Sequence, residues 1–375
     1  MFLPQSAFPT IDPITVRTHR TLRVGFLSPH NPHDATAFSG TAHHMAKALS
    51  REEGLEVTIL GNHKPLRASG RLFRRLRRPV GFSFDPWEAA GLDLVLGLAA
   101  TEQLARLSER SNVPYVHVTD ATPSFLRDVY GWNVPREADL REARVVRHAA
   151  LTLYSSRHMA ARAVAELGAE SGRIAAVSFG ANFDRMPEAM PEKPPYDPLR
   201  LLWVGSSWER KGGAMALAAF EGLRRTGRAV RLDLAGDVPL NLRLPPGAMR
   251  AGYLDKTRPR EAARLLRLFR EAHLFVLPTR ADCTPMVLAE ANAHGTPVLV
   301  TDTGGVASLV EEGRNGWMLP PGARPEDWAA AIREMTADRK VHAALCRSSF
   351  DHAVKTLCWD AWARQAAMLL RMAVE

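Results

Sequence analysis

The stretch Pro278–Gly305, PTRADCTPMVLAEANAHGTPVLVTDTGG, decides the reading of the fold. It runs as a strand end, a loop, a helix, a second strand and a double-glycine loop. Thr284 is placed to cap the helix and Pro285 to be its first residue, where proline's missing N–H costs nothing. The amides of Met286, Val287 and Leu288 then lack intrahelical acceptors. Such a helix start suits a phosphate or sugar hydroxyls. Glu290, four residues past Met286, shares its helix face. Asp282 and Glu290 therefore bracket the helix start, either as an acid/base pair or as solvated carboxylates of an ordinary α/β unit.

Strand and helix patterns alternate on both sides of this unit. TLRVGFLSPH, LEVTILGN, LDLVLGLA, VPYVHVTD and ALTLYSS read as short apolar strands, with helical segments such as TAHHMAKALS between several of them. The texture breaks at Pro187–Pro198, PEAMPEKPPYDP, where five prolines exclude a helix or a central strand. The alternation then restarts with LRLLWVGS, VRLDLAGD, AMRAGYLD, AHLFVLPT, TPVLVT and GWMLPP. The segment REAARLLRLFREA places Ala262, Leu265, Leu266 and Phe269 on one face. These patterns predict an α/β protein of two facing Rossmann-like domains with an interdomain cleft. The expected boundaries are 1–190 for the first domain, 198–356 for the second and 357–375 for a terminal helix.

A chain of 375 residues can bury two cores, and 46% hydrophobic with 24% charged residues describes a globular protein. No apolar run approaches the roughly 18–20 residues of a membrane span. The start, MFLPQSAFPT, lacks the basic region and apolar core of a secretory signal. Cys283, Cys346 and Cys358 have no metal spacing and cannot all pair, which points to the reducing cytoplasm. The formal charge is +9, and Lys64–Arg78, KPLRASGRLFRRLRR, holds seven basic and no acidic residues; without those seven the excess is two. That segment reads as a solvated face or, with Leu72, Phe73 and Leu76 as an apolar side, as a peripheral contact with an anionic membrane or a phosphorylated lipid acceptor. Aromatic interleaving is poor and no nucleic-acid motif accompanies it, so nucleic acid is not an expected partner.

A second element, Trp203–Gly213, reads WVGSSWERKGG. A strand ends at Gly205, and Arg210-Lys211-Gly212-Gly213 precedes a helix near Ala214. Two adjacent cations before a helix suit a diphosphate. Upstream, PHNPHDATAFSGTAHHMAKAL follows the first strand and brings Gly40-Thr41 to a helix start; His43 and His44 lie on that helix as structural or solvated residues. In VPYVHVTDATPSF, Asp120 closes a strand and His117 reads as a hydrogen-bonded core histidine. The sequence has no Asp-x-Asp, no Ser-His-Asp order and no Walker lysine loop.

Pro278–Gly305 resembles the acidic-x7-Glu signature of the retaining, nucleotide-sugar-dependent family 4 glycosyltransferases (group 1, GT-B fold), together with their following glycine block. Trp203–Gly213 resembles the diphosphate motif of the same family, with Gly205 and Lys211-Gly212 in register. The likeness is specific from about Leu201 to Pro321 and rests on pattern elsewhere. It implies that Lys211 contacts the donor phosphates, that Glu290 binds the donor ribose and that Asp282 lies near the transferred sugar. It also implies that Gly40 approaches the phosphates and that the terminal helix crosses back to the first domain. The chain departs from the pattern at four positions. Ser206 replaces an arginine, for which Arg210 can supply the charge. Asp282 replaces a glutamate and Asp120 a histidine, and Pro285 replaces a glycine, leaving the amide contacts there to Met286 and Val287.

The expected function is transfer of a sugar from a nucleoside diphosphate donor to a glycan, lipid-linked or small-molecule acceptor with retention of configuration. Asp120, Lys211 and Asp282 are the expected catalytic residues. Gly40, Gly205, Ser206, Arg210, Lys211, Met286, Val287, Leu288 and Glu290 are the expected donor-binding residues. No cofactor and no catalytic metal are expected, the donor itself being a substrate. Epimerisation or phosphorolysis on the same fold, or a non-catalytic partner binding through its basic segment, are the alternatives.

Overall fold

The computed structural model describes residues 20–63 and 81–375, so the basic segment Lys64–Arg78 lies outside the described residues. The first unit opens with β1 (Leu22–Leu27), α1 (Thr41–Leu49) and β2 (Leu55–Leu60). Two short strands, β3 (Asn62–His63) and β4 (Phe82–Ser83), pair antiparallel with each other. Then come β5 (Leu94–Leu98), α2 (Thr101–Arg110), β6 (Tyr115–Thr119), α3 (Pro123–Asp128), α4 (Glu137–His148), β7 (Leu151–Tyr154), α5 (Arg157–Leu167) and β8 (Ile174–Ala176). The six longer parallel strands stand in the order β2-β1-β5-β6-β7-β8.

The second unit contains β9 (Leu199–Gly205), α6 (Gly213–Arg225), β10 (Val230–Gly236), β11 (Ala248–Gly252), α7 (Pro259–Glu271), β12 (Leu274–Leu277), α8 (Val287–Asn292), β13 (Val298–Thr301) and β14 (Gly316–Leu319). After these come α9 (Pro325–Met335), α10 (Arg339–Thr356) and α11 (Trp359–Met372). Its sheet order is β11-β10-β9-β12-β13-β14, all parallel, the doubly wound arrangement. Strands covered on both faces must be apolar throughout, which is why LVLGL of β5 and LFVL of β12 are buried at every position. On α7 the buried stripe is Leu265, Leu268 and Phe269, while Leu266 is exposed. The expected face was thus displaced by one residue, because Leu268 rather than Leu266 meets the sheet.

Between β8 and β9 the chain has no regular element. Lys193, in the proline-rich part, fixes this connector to the second unit by donating to Ala272 O (2.8 Å) at the end of α7 and to Thr296 Oγ1 (2.6 Å) just before β13. Where α10 gives way to α11 the chain touches the connector again, Ala181 N donating to Leu357 O at 2.8 Å. Helix α11 then packs on the first unit. Trp359, Trp362, Ala366 and Leu370 share a core with Val24, Phe26, Met45 and Leu49. At its rim Arg51 pairs with Asp360 at 2.6 Å and Arg371 donates to the carbonyls of Glu53 and Gly54.

Candidate active site

Strands β9 and β12 are neighbours, yet the chain leaves them toward opposite sides of the order. The loops after their carboxyl ends therefore flank the switch point, where ligands of doubly wound sheets bind. Residues 206–212 and 278–286 are these loops, and they are pressed together. Gly212 has φ +69°, and a Cβ there would lie 1.8 Å from Pro278 O. Only glycine permits this approach. Arg280 N donates to Arg210 O at 2.8 Å across the same seam. The double glycine closes the other flank, Gly305 N donating to Asp282 O at 2.9 Å, and a Cβ at Gly305 would stand 1.6 Å from Cys283 O.

Lys211 and Asp282 meet in this seam. The ammonium lies 2.6 Å from Asp282 Oδ2, and both residues are buried. Thr279 Oγ1 donates to the same oxygen at 3.1 Å, and Arg210 Nη1 stands 3.4 Å from Oδ1 and 2.9 Å from Ala281 O. Burial pushes the Lys211 ammonium below the usual lysine value, and the Asp282 charge opposes that shift. Gly205 ends β9 beneath the cluster, with Ser206 exposed beside it. Arg210 therefore reaches the carboxylate that Lys211 reaches and supplies a second cation to the seam.

The first unit contributes a residue that motif reading did not single out. Tyr130, past the end of α3, donates its phenol to Asp282 Oδ1 at 3.4 Å and accepts from Cys283 N at 2.9 Å. Its ring lies under the Arg210 guanidinium, 4.6 Å from centroid to Cζ. Burial and the adjacent Asp282 charge push the phenol's pKa far up, so it remains a donor. Burial likewise raises the Cys283 thiol, with the charge of Asp120 adding to it; Asp120 at the end of β6 thus comes close to the same loop. His117 is a core histidine on Glu142, 2.8 Å away.

At α8 the structure corrects the expected helix start. The helix begins at Val287 with Met286 as an uncapped N-terminal flank, so Pro285 precedes it. The Thr284 hydroxyl bonds instead with Ser155 of the first unit. The amides of Met286 and Leu288 are used by the turn, donating to Thr284 O (3.0 Å) and Pro285 O (2.9 Å). Of the three amides expected to be free, only Val287's has no such backbone acceptor among the described residues. The tertiary hydroxyl pair and the tight turn before a short helix take what local capping would have used.

Glu290, buried on α8, pairs with Lys256 from the turn after β11, a second residue that no motif pointed to. The Met286 side chain reaches α1 of the first unit and the connector: Thr41 Oγ1 approaches its sulfur at 3.6 Å and Asn182 Nδ2 at 3.5 Å. Asn182 also donates to Ser39 O at 2.6 Å. Phe38, Ser39 and Gly40 all have positive φ, 50°, 59° and 90°, an uncommon run for non-glycine residues that marks a constrained loop. The Gly40 loop is thereby held at the mouth of α8. A separate cavity of about 480 Å³, lined by Asn31, His33, Ile59, Gly61, Asn62, His63 and Glu88, opens beyond β1 and β2 in the first unit.

Residues 198–338, which include Lys211, Asp282 and Glu290, match the family described as "Glycosyl transferases group 1". A curated relative, the D-inositol 3-phosphate glycosyltransferase of Pseudarthrobacter chlorophenolicus, is 28% identical over 292 residues, 74% of this chain and 67% of that protein. Residues 198–338, the greater part of the second unit, are a group 1 glycosyltransferase segment. Among solved structures, sucrose-phosphate synthase from Thermosynechococcus elongatus superposes with a TM-score of 0.69 over 94% of this chain and 98% of that one, at 16% identity. The Anabaena HepE protein, solved with UDP-glucose, gives 0.62 over 94% and 100%, also at 16% identity. Both likenesses are of fold, and the chain has the two-domain GT-B architecture. Among its described residues no helix is long and apolar enough to cross a membrane.

Proposed function

We propose that this glycosyltransferase takes its sugar from a nucleoside diphosphate donor, retains the anomeric configuration, and holds the donor across the seam between the loops after β9 and β12. The observation that carries the proposal is the convergence of Lys211 and Arg210 on Asp282 at the switch point of the second sheet. A diphosphate entering there would exchange with Asp282 for the Lys211 ammonium. The carboxylate, released from its ion pair, would then turn to the hydroxyls of the transferred sugar. Glu290 would give up Lys256 in the same manner and accept from the ribose hydroxyls, a task for which a carboxylate has the lone pairs.

The departing diphosphate gains its stabilisation from Lys211, Arg210 and the Val287 amide, aimed where negative charge develops. The acceptor hydroxyl attacks from the face the diphosphate leaves, passing its proton to the leaving phosphate oxygen. Asp120 and Tyr130 approach from the first domain and orient the sugar. The polar cavity at the ends of β1 and β2 belongs to the acceptor side, where its histidines, asparagines and Glu88 suit a polyhydroxyl compound. Domain bounds near residues 190 and 198 place the acceptor and donor halves on either side of the proline-rich connector. Contact of Lys64–Arg78 with an anionic membrane surface would bring the enzyme to a lipid-linked acceptor.

HepE was solved with UDP-glucose and the Pseudarthrobacter relative is named for inositol 3-phosphate. Uridine donors and polyol phosphate acceptors are accordingly the first to try. Isothermal titration against UDP-, GDP- and ADP-sugars should find one donor class that binds, with Lys211→Ala and Glu290→Ala each weakening it. Unchanged binding in both variants would remove the site assignment. Nucleotide release without any acceptor would favour epimerisation or hydrolysis instead.

A further inference from the structure

Two adjacent histidines on α1 face the interdomain connector. His43 Nε2 lies 3.6 Å and His44 Nδ1 3.8 Å from one oxygen, Asp184 Oδ1. The three ligand atoms fall within 4.8 Å of one another. Around a tetrahedral ion with bonds of about 2.0–2.1 Å, ligand atoms stand roughly 3.3–3.4 Å apart. The two imidazole–carboxylate distances exceed that spacing by a few tenths of an ångström, and closing the two imidazole nitrogens from within 4.8 Å would seat a small cation between these groups. His43 also has the outer bond that orients a histidine ligand: its Nδ1 is 2.9 Å from Pro32 O, which places the proton there and leaves Nε2 its lone pair.

A cation already stands at this position. Lys47, one turn along α1, places its ammonium 2.8 Å from the same Asp184 oxygen. Its side chain is 41% exposed and can swing into solvent. We propose that His43, His44 and Asp184 bind a divalent transition metal of the zinc type, with water completing the coordination and Lys47 as the resident competitor. Two imidazoles and a carboxylate select zinc, nickel or cobalt over magnesium and calcium. The ion would tie α1 of the first domain to the connector, two residues from Asn182 and its bond to Ser39 O. It would therefore oppose any movement of the Gly40 loop. This site is distinct from the diphosphate seam and does not depend on the donor reading.

The test is titration calorimetry of the full-length chain near pH 7.5 with zinc chloride, using magnesium chloride as the comparison. The expected result is one zinc per chain and no magnesium binding at that site. H43A and D184N should each weaken zinc at least about tenfold, the minimum expected if a direct ligand matters as much as an outer one. K47A should tighten it, because a competing ammonium is gone. Asp184 and Lys47 are exposed enough that their variants fold, which melting curves would verify. Equal zinc affinity in the wild type, H43A and D184N, or weaker binding by K47A, would overturn the proposal.

Discussion

Replacing Lys211 by methionine separates two roles that the seam combines. The ammonium is buried 2.6 Å from Asp282 Oδ2, so its loss strands a buried carboxylate. Stranding one member of a buried pair costs about 3–5 kcal/mol. Asp282 retains the Thr279 hydroxyl at 3.1 Å and the Arg210 and Tyr130 groups at 3.4 Å. The expected cost is thus at the lower end, about 3 kcal/mol, or a melting temperature lower by roughly 5–10 °C. Donor binding loses a charge-assisted contact of about 1.5–3 kcal/mol, which weakens Kd roughly 10- to 150-fold. K211M/D282N removes the stranded charge as well. It should recover most of the thermal stability while donor affinity stays low. Scanning fluorimetry reads the first quantity and titration calorimetry with the nucleoside diphosphate the second. If the double variant regains donor affinity along with stability, Lys211 is only the counter-ion of Asp282 and its phosphate role is wrong.

Tyr130→Phe removes the phenol that joins Asp282 to Cys283 N, and should raise the donor KM by about fivefold to tenfold for one lost hydrogen bond; an unchanged KM would detach Tyr130 from the donor site. Gly212→Ala forces a Cβ to 1.8 Å from Pro278 O at φ +69°, so the loops must part; the variant should melt well below the wild type and bind donor poorly, and a normal melting curve would contradict the close approach. Glu290→Ala should erase a preference for a ribonucleoside diphosphate over its 2′,3′-dideoxy analogue; a surviving preference would place the ribose elsewhere. His273, His294 and His342 are each pushed down to about 4 by burial. Unfolded histidines titrate near 6.5, so between pH 6.5 and 4 the unfolded chain binds more protons. Stability should be full above pH 6.5 and fall as the pH drops toward 4, and a melting temperature flat across that window would contradict the burial of these rings as neutral groups.

Much of the architecture was legible in the sequence because parallel strands covered on both faces must be apolar runs, and LVLGL and LFVL have no other comfortable place. The proline-rich break at Pro187–Pro198 was legible for the same kind of reason, since five prolines defeat both helix and ladder. Lys211 and Asp282 stood out through local motifs, but their contact with each other depends on which strands are neighbours. Tyr130 and Lys256 were missed because their partners, Asp282 and Glu290, are distant in sequence and no fixed spacing links them. The aromatic pair in Tyr130-Gly131-Trp132 was the one available signal. The cap at Thr284 failed because its hydroxyl had a tertiary partner, Ser155, that a local reading of helix signals does not contain. The stripe on α7 was misread by one residue because a sheet-packed helix buries only the side chains that meet the strands, and Leu266 does not.

The central claim is that a sugar passes from a nucleoside diphosphate to an acceptor hydroxyl with its configuration kept. Proton NMR of the reaction with the donor class found by calorimetry, offered D-inositol 3-phosphate and a panel of simple glycosides, tests it most directly. The account predicts that nucleoside diphosphate appears only when an acceptor is consumed. The new glycosidic proton should show the coupling of the donor's own anomeric configuration. Release of nucleotide at the same rate without acceptor, or a product of inverted configuration, would contradict it.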